Sequence, residues 1–119
     1  MDIRQAIKDA DDLPLVPVVC SAWAANGWDG TVYVRTMKGS ERDEFEHIVT
    51  KGQARKDNRG LKLRLALLTV CDDKGQRVFE EKDSEWLQEK SAVELDRIAN
   101  AALQQNGFSD KDVAELEKN

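Results

Sequence analysis

The side chains of this 119-residue chain best suited to metal binding or nucleophilic chemistry are His47, Cys20 and Cys71. A metal site needs two or more converging ligands, but the single histidine has only Glu44 and Glu46 beside it, and neither cysteine is close in sequence. We therefore expect His47 to be an ordinary surface or half-buried side chain. Two isolated cysteines do not make a disulfide framework, and they suit a reducing compartment.

The acids Asp72 and Asp73, followed by Gly75, resemble the start of a calcium loop, but the spaced acids and terminal glutamate of an EF-hand are missing. This segment is therefore predicted to be a turn. The chain also has no glycine-rich phosphate loop, nucleophile elbow or paired-cysteine motif. We expect no enzymatic activity, no cofactor and no metal.

The composition predicts one globular domain. With 40% apolar and 34% charged residues, the chain can bury a core beneath a solvated surface. The sequence shows no signal peptide and no apolar run of about 18 residues that could span a bilayer, so a cytosolic protein without membrane contact is expected. The net charge of −5 argues against general nucleic-acid affinity.

The charge is distributed unevenly along the chain. Residues 1–79 hold 13 Lys and Arg against 12 Asp and Glu, whereas residues 80–119 hold 5 against 11, which gives +1 and −6. Fourteen residues contain six cations and a single acid, Asp57. These cations are Lys51, Arg55, Lys56, Arg59, Lys62 and Arg64.

The N-terminal third is predicted to form a short helix and then a β-hairpin. Residues 1–12 place apolar side chains on one helical face, but the helix is short and frayed. In residues 13–37, Pro14 and Pro17 favour extended backbone at a sheet edge, and the run from Thr31 to Met37 alternates with period two. The turn signals Asn26-Gly27 and Asp29-Gly30 lie between the two runs.

A helix is predicted over residues 40–50, with Ser40 and Asp43 spaced as an N-cap pair. Residues 51–60 have strong positive charge and no large apolar side chain, so a mobile basic loop is expected. Residues 61–70 form a dense apolar run whose periodicity fits either a strand or a helix. Because good helix formers dominate until Thr69, we interpret this run as the central core helix.

Residues 61–119 are predicted to be helical apart from a turn at 72–79. Trp86 and Leu87 are assigned to a single helical turn. Ser91 and Glu94 form a capping box before the clearest apolar stripe in the chain, and Gly107 occupies the position of a left-handed C-cap. Ser109 is predicted to cap a last helix. The predicted fold is an α+β, mainly α-helical single domain, residues 1–119, with an N-terminal β-hairpin.

Four apolar residues are candidate partner-binding residues. Trp23 and Trp28 flank the hairpin tip, where exposed aromatic rings could anchor a partner. The sequence is equally compatible with one ring packing under the hairpin while the other merely lies on the surface. Val113 and Leu116 make a thin stripe on the last helix, which must dock on the domain or on a neighbour. The basic loop could contact phosphates, but a solvated loop or one facing an acidic copy fits the acidic protein better.

Four segments together resemble the tail assembly chaperone family of long-tailed bacteriophages and prophages. They read DDLP, TVYVRTMKGSERDEFE, LKLRLALLTVCDDKGQRVF and EKSAVELDRIANAALQQNGFSDKDVAELEKN, so the resemblance extends from about residue 9 to the end. It implies a protein of the host cytoplasm that binds the tape measure protein, keeps it soluble and promotes polymerisation of the tail tube protein around it. It also implies absence from the finished virion, self-association into spirals or rings, and a longer product made by ribosomal frameshifting.

The charge asymmetry fits such self-association. A basic middle and an acidic C-terminal third suit a heterologous, head-to-tail contact, so Lys51–Arg64 of one copy is predicted to face Glu80–Glu117 of the next. A structural minor tail or connector protein retained in the virion and a small nucleic-acid-binding regulator remain the alternatives.

Overall fold

The computed structural model describes residues 1–54 and 60–117 and confirms a mainly helical α+β fold with an N-terminal hairpin. The elements are α1 (Ile3–Asp9), β1 (Leu15–Val19), β2 (Thr31–Arg35), α2 (Gly39–Ala54), α3 (Leu61–Thr69), β3 (Val70–Cys71), α4 (Ser84–Leu87), α5 (Ala92–Gln105) and α6 (Asp110–Glu117). The three strands form an antiparallel sheet in the order β1-β2-β3.

The hairpin pairs β1 with β2, with Val16 opposite Val34 and Val18 opposite Val32. As predicted, β1 lies at the edge of the sheet. The Cys20 N–H donates to the Gly30 carbonyl at 2.9 Å. Because hydrogen-bonded pairs alternate along an antiparallel ladder, Pro17 falls where its missing N–H would point away from β2. A proline at this position costs no ladder bond and leaves the edge less able to pair with another strand.

The hydrophobic core lies between the inner face of the sheet and the helices. α5 packs across β1 and β2 and lies alongside α3, while α2 and α4 pack against α3. Alternation along β2 buries Val32 and Val34, and the helical period of α5 buries Leu95, Ile98 and Ala102. The remaining large core side chains include Phe45, Leu65, Leu67 and Leu87.

The run 61–70 is helical as predicted, but the prediction placed its end one residue too late. α3 ends at Thr69, and Val70 begins strand β3, which pairs with Val34 of β2. Residues 65–69 are all buried, as expected for a central helix. The β-branched Val70 suits extended backbone, and β2 offers it a ladder partner that a sequence-local argument does not contain.

The helix predicted over residues 40–50, which corresponds to α2, was also wrong at both ends. α2 begins at Gly39 rather than Ser40, and its first turn is held by Glu41, whose Oε1 accepts from the Lys38 N–H at 2.9 Å. Its helix continues to Ala54, so residues 51–54, including Lys51, are helical rather than loop. Gly52 lies inside this helix, and an interior glycine destabilises a helix by only about 1 kcal/mol relative to alanine. Its neighbours Lys51 and Gln53 are good helix formers, so the helix continues past it.

The end of α5 is a left-handed glycine cap, as predicted. Gly107 has φ +75°, and the Phe108 N–H donates back to the Leu103 carbonyl at 2.9 Å. The Phe108 ring then packs edge-to-face on Phe45, with centroids 6.0 Å apart, and Arg42 lies over its face at 3.8 Å. A local capping signal thus ties α5 to α2.

Candidate interaction surfaces

The two hairpin tryptophans have different environments. Trp23 is half-buried and packs against the core, whereas Trp28 is 45% exposed and its Nε1 donates to the Thr31 carbonyl at 3.1 Å. The backbones of Ala25 and Trp28 exchange hydrogen bonds around Asn26 and Gly27, which both have positive φ. Of the two predicted anchors, only Trp28 presents a large apolar surface to solvent.

The cations of the predicted basic surface are only partly described. Arg55, Lys56 and Arg59 lie outside the described residues, and the side chain of Lys51 is likewise not described. Lys62 and Arg64 are described, and both bind acids of their own chain. Lys62 Nζ lies 2.5 Å from Asp96 Oδ1, and Arg64 Nη1 lies 2.6 Å from Glu81 Oε2.

These two ion pairs change the predicted head-to-tail contact. The prediction had all six cations facing the acidic region of a neighbouring copy, whereas Lys62 and Arg64 already meet that region within one molecule. The reason is that α3 packs against α5, which carries Asp96, and against α4, which directly follows the segment that contains Glu81. An intermolecular role is therefore left to Lys51, Arg55, Lys56 and Arg59.

Glu94 holds the connection after β1 in place, although the sequence assigned it to a capping box. Ser91 does cap α5, because its Oγ accepts from the Glu94 N–H at 3.4 Å. The buried Glu94 carboxylate instead accepts from the Ala22 N–H at 2.9 Å and from Arg97 Nε at 3.0 Å. These donors, the Ala22 N–H first, lower the pKa of Glu94.

A second buried charge lies at the floor of a shallow groove. Arg35 is 6% exposed, and both of its Nη atoms donate to the Glu41 carboxylate, the Nη1 bond being 2.7 Å long. Segment 11–15 and the turn 73–77 form the groove walls. Because Glu41 occupies both outer nitrogens, Arg35 fastens β2 to α2 and offers no free guanidinium fork to an anionic ligand.

The structure describes every side chain of the N-terminal helix α1, but only some side chains of the C-terminal helix α6. Every residue from 1 to 12 is exposed, so the apolar side of α1 is uncovered, and Ile3 and Ile7 are 68% and 67% exposed. α6 has the predicted cap, since Ser109 and Asp112 exchange side-chain to backbone hydrogen bonds at 2.9 and 3.1 Å. The side chains of Val113 and Leu116 are not described, so their predicted docking role stays a prediction.

An aromatic surface that the sequence analysis did not select lies at α4. Trp86 is 50% exposed and packs edge-to-face on the half-buried Phe79, with centroids 5.9 Å apart. Its Nε1 donates to Asp83 at 3.0 Å, which orients the ring. We call this pair of rings the Phe79–Trp86 platform. In the sequence, five acids and one lysine between residues 80 and 89 surround Trp86. This charged surrounding could have indicated that the Trp86 ring lies at the surface.

The described residues contain no cluster of three or more His, Cys, Asp or Glu side chains that could hold a metal ion. Asp72 accepts from the backbone N–H groups of Lys74 and Gln76 at 2.9 and 3.0 Å, which confirms the predicted turn. Cys20 and Cys71 are buried, and burial raises the pKa of Cys20 to about 11. Over the same ranges of the chain, no helix is long and apolar enough to cross a membrane.

Comparison with known proteins gives one result that bears on identity. No family model and no curated protein matches this sequence. Among solved structures, the bacteriophage HK97 tail assembly chaperone superposes with a TM-score of 0.59 at 19% sequence identity, covering 91% of this chain and 95% of that one. This chain has the fold of the HK97 tail assembly chaperone. The resemblance read from the sequence is therefore confirmed at the level of the fold, over nearly the whole of both chains.

Proposed function

We propose that this chain is a non-enzymatic tail assembly chaperone, which binds the tape measure protein and keeps it soluble while the tail tube assembles. The observation that carries the proposal is the shared fold with the HK97 tail assembly chaperone over 91% of the chain. Four sequence segments that resemble the chaperone family support it independently. The exposed apolar residues on α1, the hairpin tip and α4 offer several separate contact surfaces for an extended partner.

Self-association belongs to the same proposal. A long helical partner is best covered by many copies, because linked weak contacts reinforce one another through effective concentration. Copies are proposed to join head to tail, with Lys51, Arg55, Lys56 and Arg59 of one meeting acids of the C-terminal third of the next. The protein acts in the host cytoplasm and leaves before the virion is complete; the tail tube protein and a longer, frameshifted form of this chain are further proposed partners.

Co-expression with the longest helical product encoded downstream tests the proposal. Size-exclusion chromatography with light scattering should find that product soluble only in a complex with several copies of this chain. If the product stays insoluble in the presence of both this chain and its frameshifted form, the chaperone function is wrong.

A further inference from the structure

α1 is a helix without the packing that a helix of its length needs. It has seven residues, and isolated helices shorter than about 12 residues are marginal in water unless tertiary contacts cover their apolar face. Ile3 and Ile7 lie one turn apart on that face and are both exposed. Its capping by Asp2 and a Gln5–Asp9 hydrogen bond supply only local support. A covering surface on another molecule would supply the contacts that α1 lacks among the described residues.

The charged side chains of α1 indicate what kind of surface covers it. Arg4 and Lys8 are spaced i,i+4 next to the Ile3–Ile7 stripe, and neither has a partner among the residues the structure describes. A surface that covers this side of α1 should therefore combine exposed apolar area with unpaired carboxylates.

The Phe79–Trp86 platform has that combination. Glu85 precedes Trp86, and the Glu89 backbone N–H donates to the Trp86 carbonyl at 3.1 Å, so the backbones of both acids lie within one turn of Trp86. Both are exposed and, within the described ranges, unpaired, unlike Glu81 and Asp83. Glu85 and Glu89, like Arg4 and Lys8, are four residues apart in the sequence. Because Asp83 and Phe79 already fix the Trp86 ring, little side-chain entropy is lost when a partner binds it.

We propose that α1 of one copy docks on the Phe79–Trp86 platform of the next, with Ile3 and Ile7 against Trp86 and with Arg4 and Lys8 facing Glu85 and Glu89. The connection over residues 10–14 has no helix or strand and can span at most about 17 Å, which gives α1 reach beyond its own domain. The contact is heterologous, so it propagates from copy to copy. This inference rests on the self-association in the proposed function and supplies its second contact.

Complementary variants of the full chain test the docking. Ile3→Asp/Ile7→Asp removes the donor helix face and keeps the platform, whereas Trp86→Ala removes the platform and keeps the donor face. By light scattering, each variant alone should need at least about tenfold higher concentration than wild type to associate. When both variants also carry Lys51, Arg55, Lys56 and Arg59 reversed to Glu, so that the α1 contact alone remains, their equimolar mixture should form a 1:1 dimer and stop there, because only one donor and one acceptor remain. Val93→Asp, at a site 64% exposed on α5, is the matched control and should associate like wild type.

Each possible outcome decides a different point. If wild type associates and the donor or platform variants associate equally well, the docking is wrong while self-association stands. If both variants are monomeric but their mixture does not dimerise, α1 and the platform do not bind each other and the inference is overturned. If wild type is monomeric at all concentrations, self-association and the docking both fail, and tape measure binding is judged by co-purification alone. Thermal unfolding of each variant shows whether a lost contact is a folding defect; should Trp86→Ala unfold, Glu85→Lys/Glu89→Lys replaces it.

Discussion

At the scale of single residues, Arg35 and Glu41 show how a charge is accommodated in this core. Arg35 is the last residue of β2, opposite Leu15 of β1, and its Nε has no hydrogen-bond partner among the described residues. Glu41 accepts from both Nη atoms and from the Lys38 N–H, so one carboxylate joins β2 to the start of α2. Burying two charges is costly, and the pair is retained only because each neutralises the other.

Removing one member of this pair should therefore destabilise the protein. We predict that Glu41→Leu lowers the free energy of unfolding by about 3 kcal/mol, because it leaves the Arg35 charge buried without a partner. Urea denaturation followed by circular dichroism measures this loss. The double variant Arg35→Met/Glu41→Leu should recover most of the stability. Glu46→Gln, which breaks the exposed pair with Arg42, is the control and should change the free energy by less than about 1 kcal/mol.

The same pair predicts a dependence on pH. Hydrogen bonds from Arg35 lower the pKa of Glu41 below its ordinary value of 4.5, in spite of partial burial. The unfolded chain then binds a proton more readily than the folded one, so the contribution of the pair is present above the unfolded pKa and lost as the pH falls through the folded pKa. The stability difference between wild type and Glu41→Gln should be larger at about pH 7 than at about pH 3. An equal difference at both values would show that the Glu41 charge does not contribute.

At the scale of elements, the hairpin depends on one glycine more than on another. Gly27 and Gly30 both have positive φ, +86° and +89°. A Cβ on Gly27 would meet nothing within 4 Å, whereas a Cβ on Gly30 would lie 2.3 Å from the Cys20 carbonyl oxygen. That oxygen belongs to the backbone of the connection between β1 and the Ser21–Trp23 turn, so it cannot move without disturbing both.

This contrast gives a matched pair of variants. Gly27→Ala should cost about 1–2 kcal/mol, the usual penalty for a left-handed residue with a Cβ. Gly30→Ala should cost that amount plus about 1–3 kcal/mol for displacing the Cys20 backbone. Chemical denaturation of both variants checks the order. Equal losses would mean that the close approach at Gly30 relaxes without cost.

At the scale of the whole molecule, the separation of charge should control assembly. The proposed contact pairs opposite charges between copies, and salt screens such a pair over about 10 Å at 0.1 M when it is open to solvent. Reversing Lys51, Arg55, Lys56 and Arg59 to Glu should therefore reduce the assembly size, and raising the salt concentration should do the same to wild type. Light scattering at low and high salt measures both effects. An unchanged size for the charge-reversed variant would remove this contact and leave the α1 docking as the candidate interface.

A second whole-molecule prediction concerns the finished particle. A chaperone that leaves during assembly should be missing from purified virions, whereas a minor tail or connector protein should be found in stoichiometric amounts. Mass spectrometry of purified particles separates the two, with the tail tube protein as the internal control. Finding this chain at a fixed ratio to the tube protein would replace the chaperone function with a structural one.

The elements whose interactions are local could be predicted from the order of residues alone. The stripe of α5, the cap at Ser91, the left-handed cap at Gly107 and the hairpin turns all arise within about four residues along the chain, so spacing alone was enough to predict them. The edge position of β1 was predictable for the same reason, because Pro17 restricts its own backbone wherever it occurs.

The features that join distant segments depend on long-range packing and could not be predicted in this way. Strand β3 forms because β2 offers a ladder, and Glu94 leaves its capping box because Ala22 lies across from it. Lys62 and Arg64 pair within the chain because α3 lies beside α5 and beside α4. None of these partners lies within one helical turn of the residue it binds. The same holds for the Phe79–Trp86 platform, since the ring contact depends on where the segment after β3 returns to the core. Local physics selected the helices and turns, and long-range packing decided which surfaces they leave free for a partner.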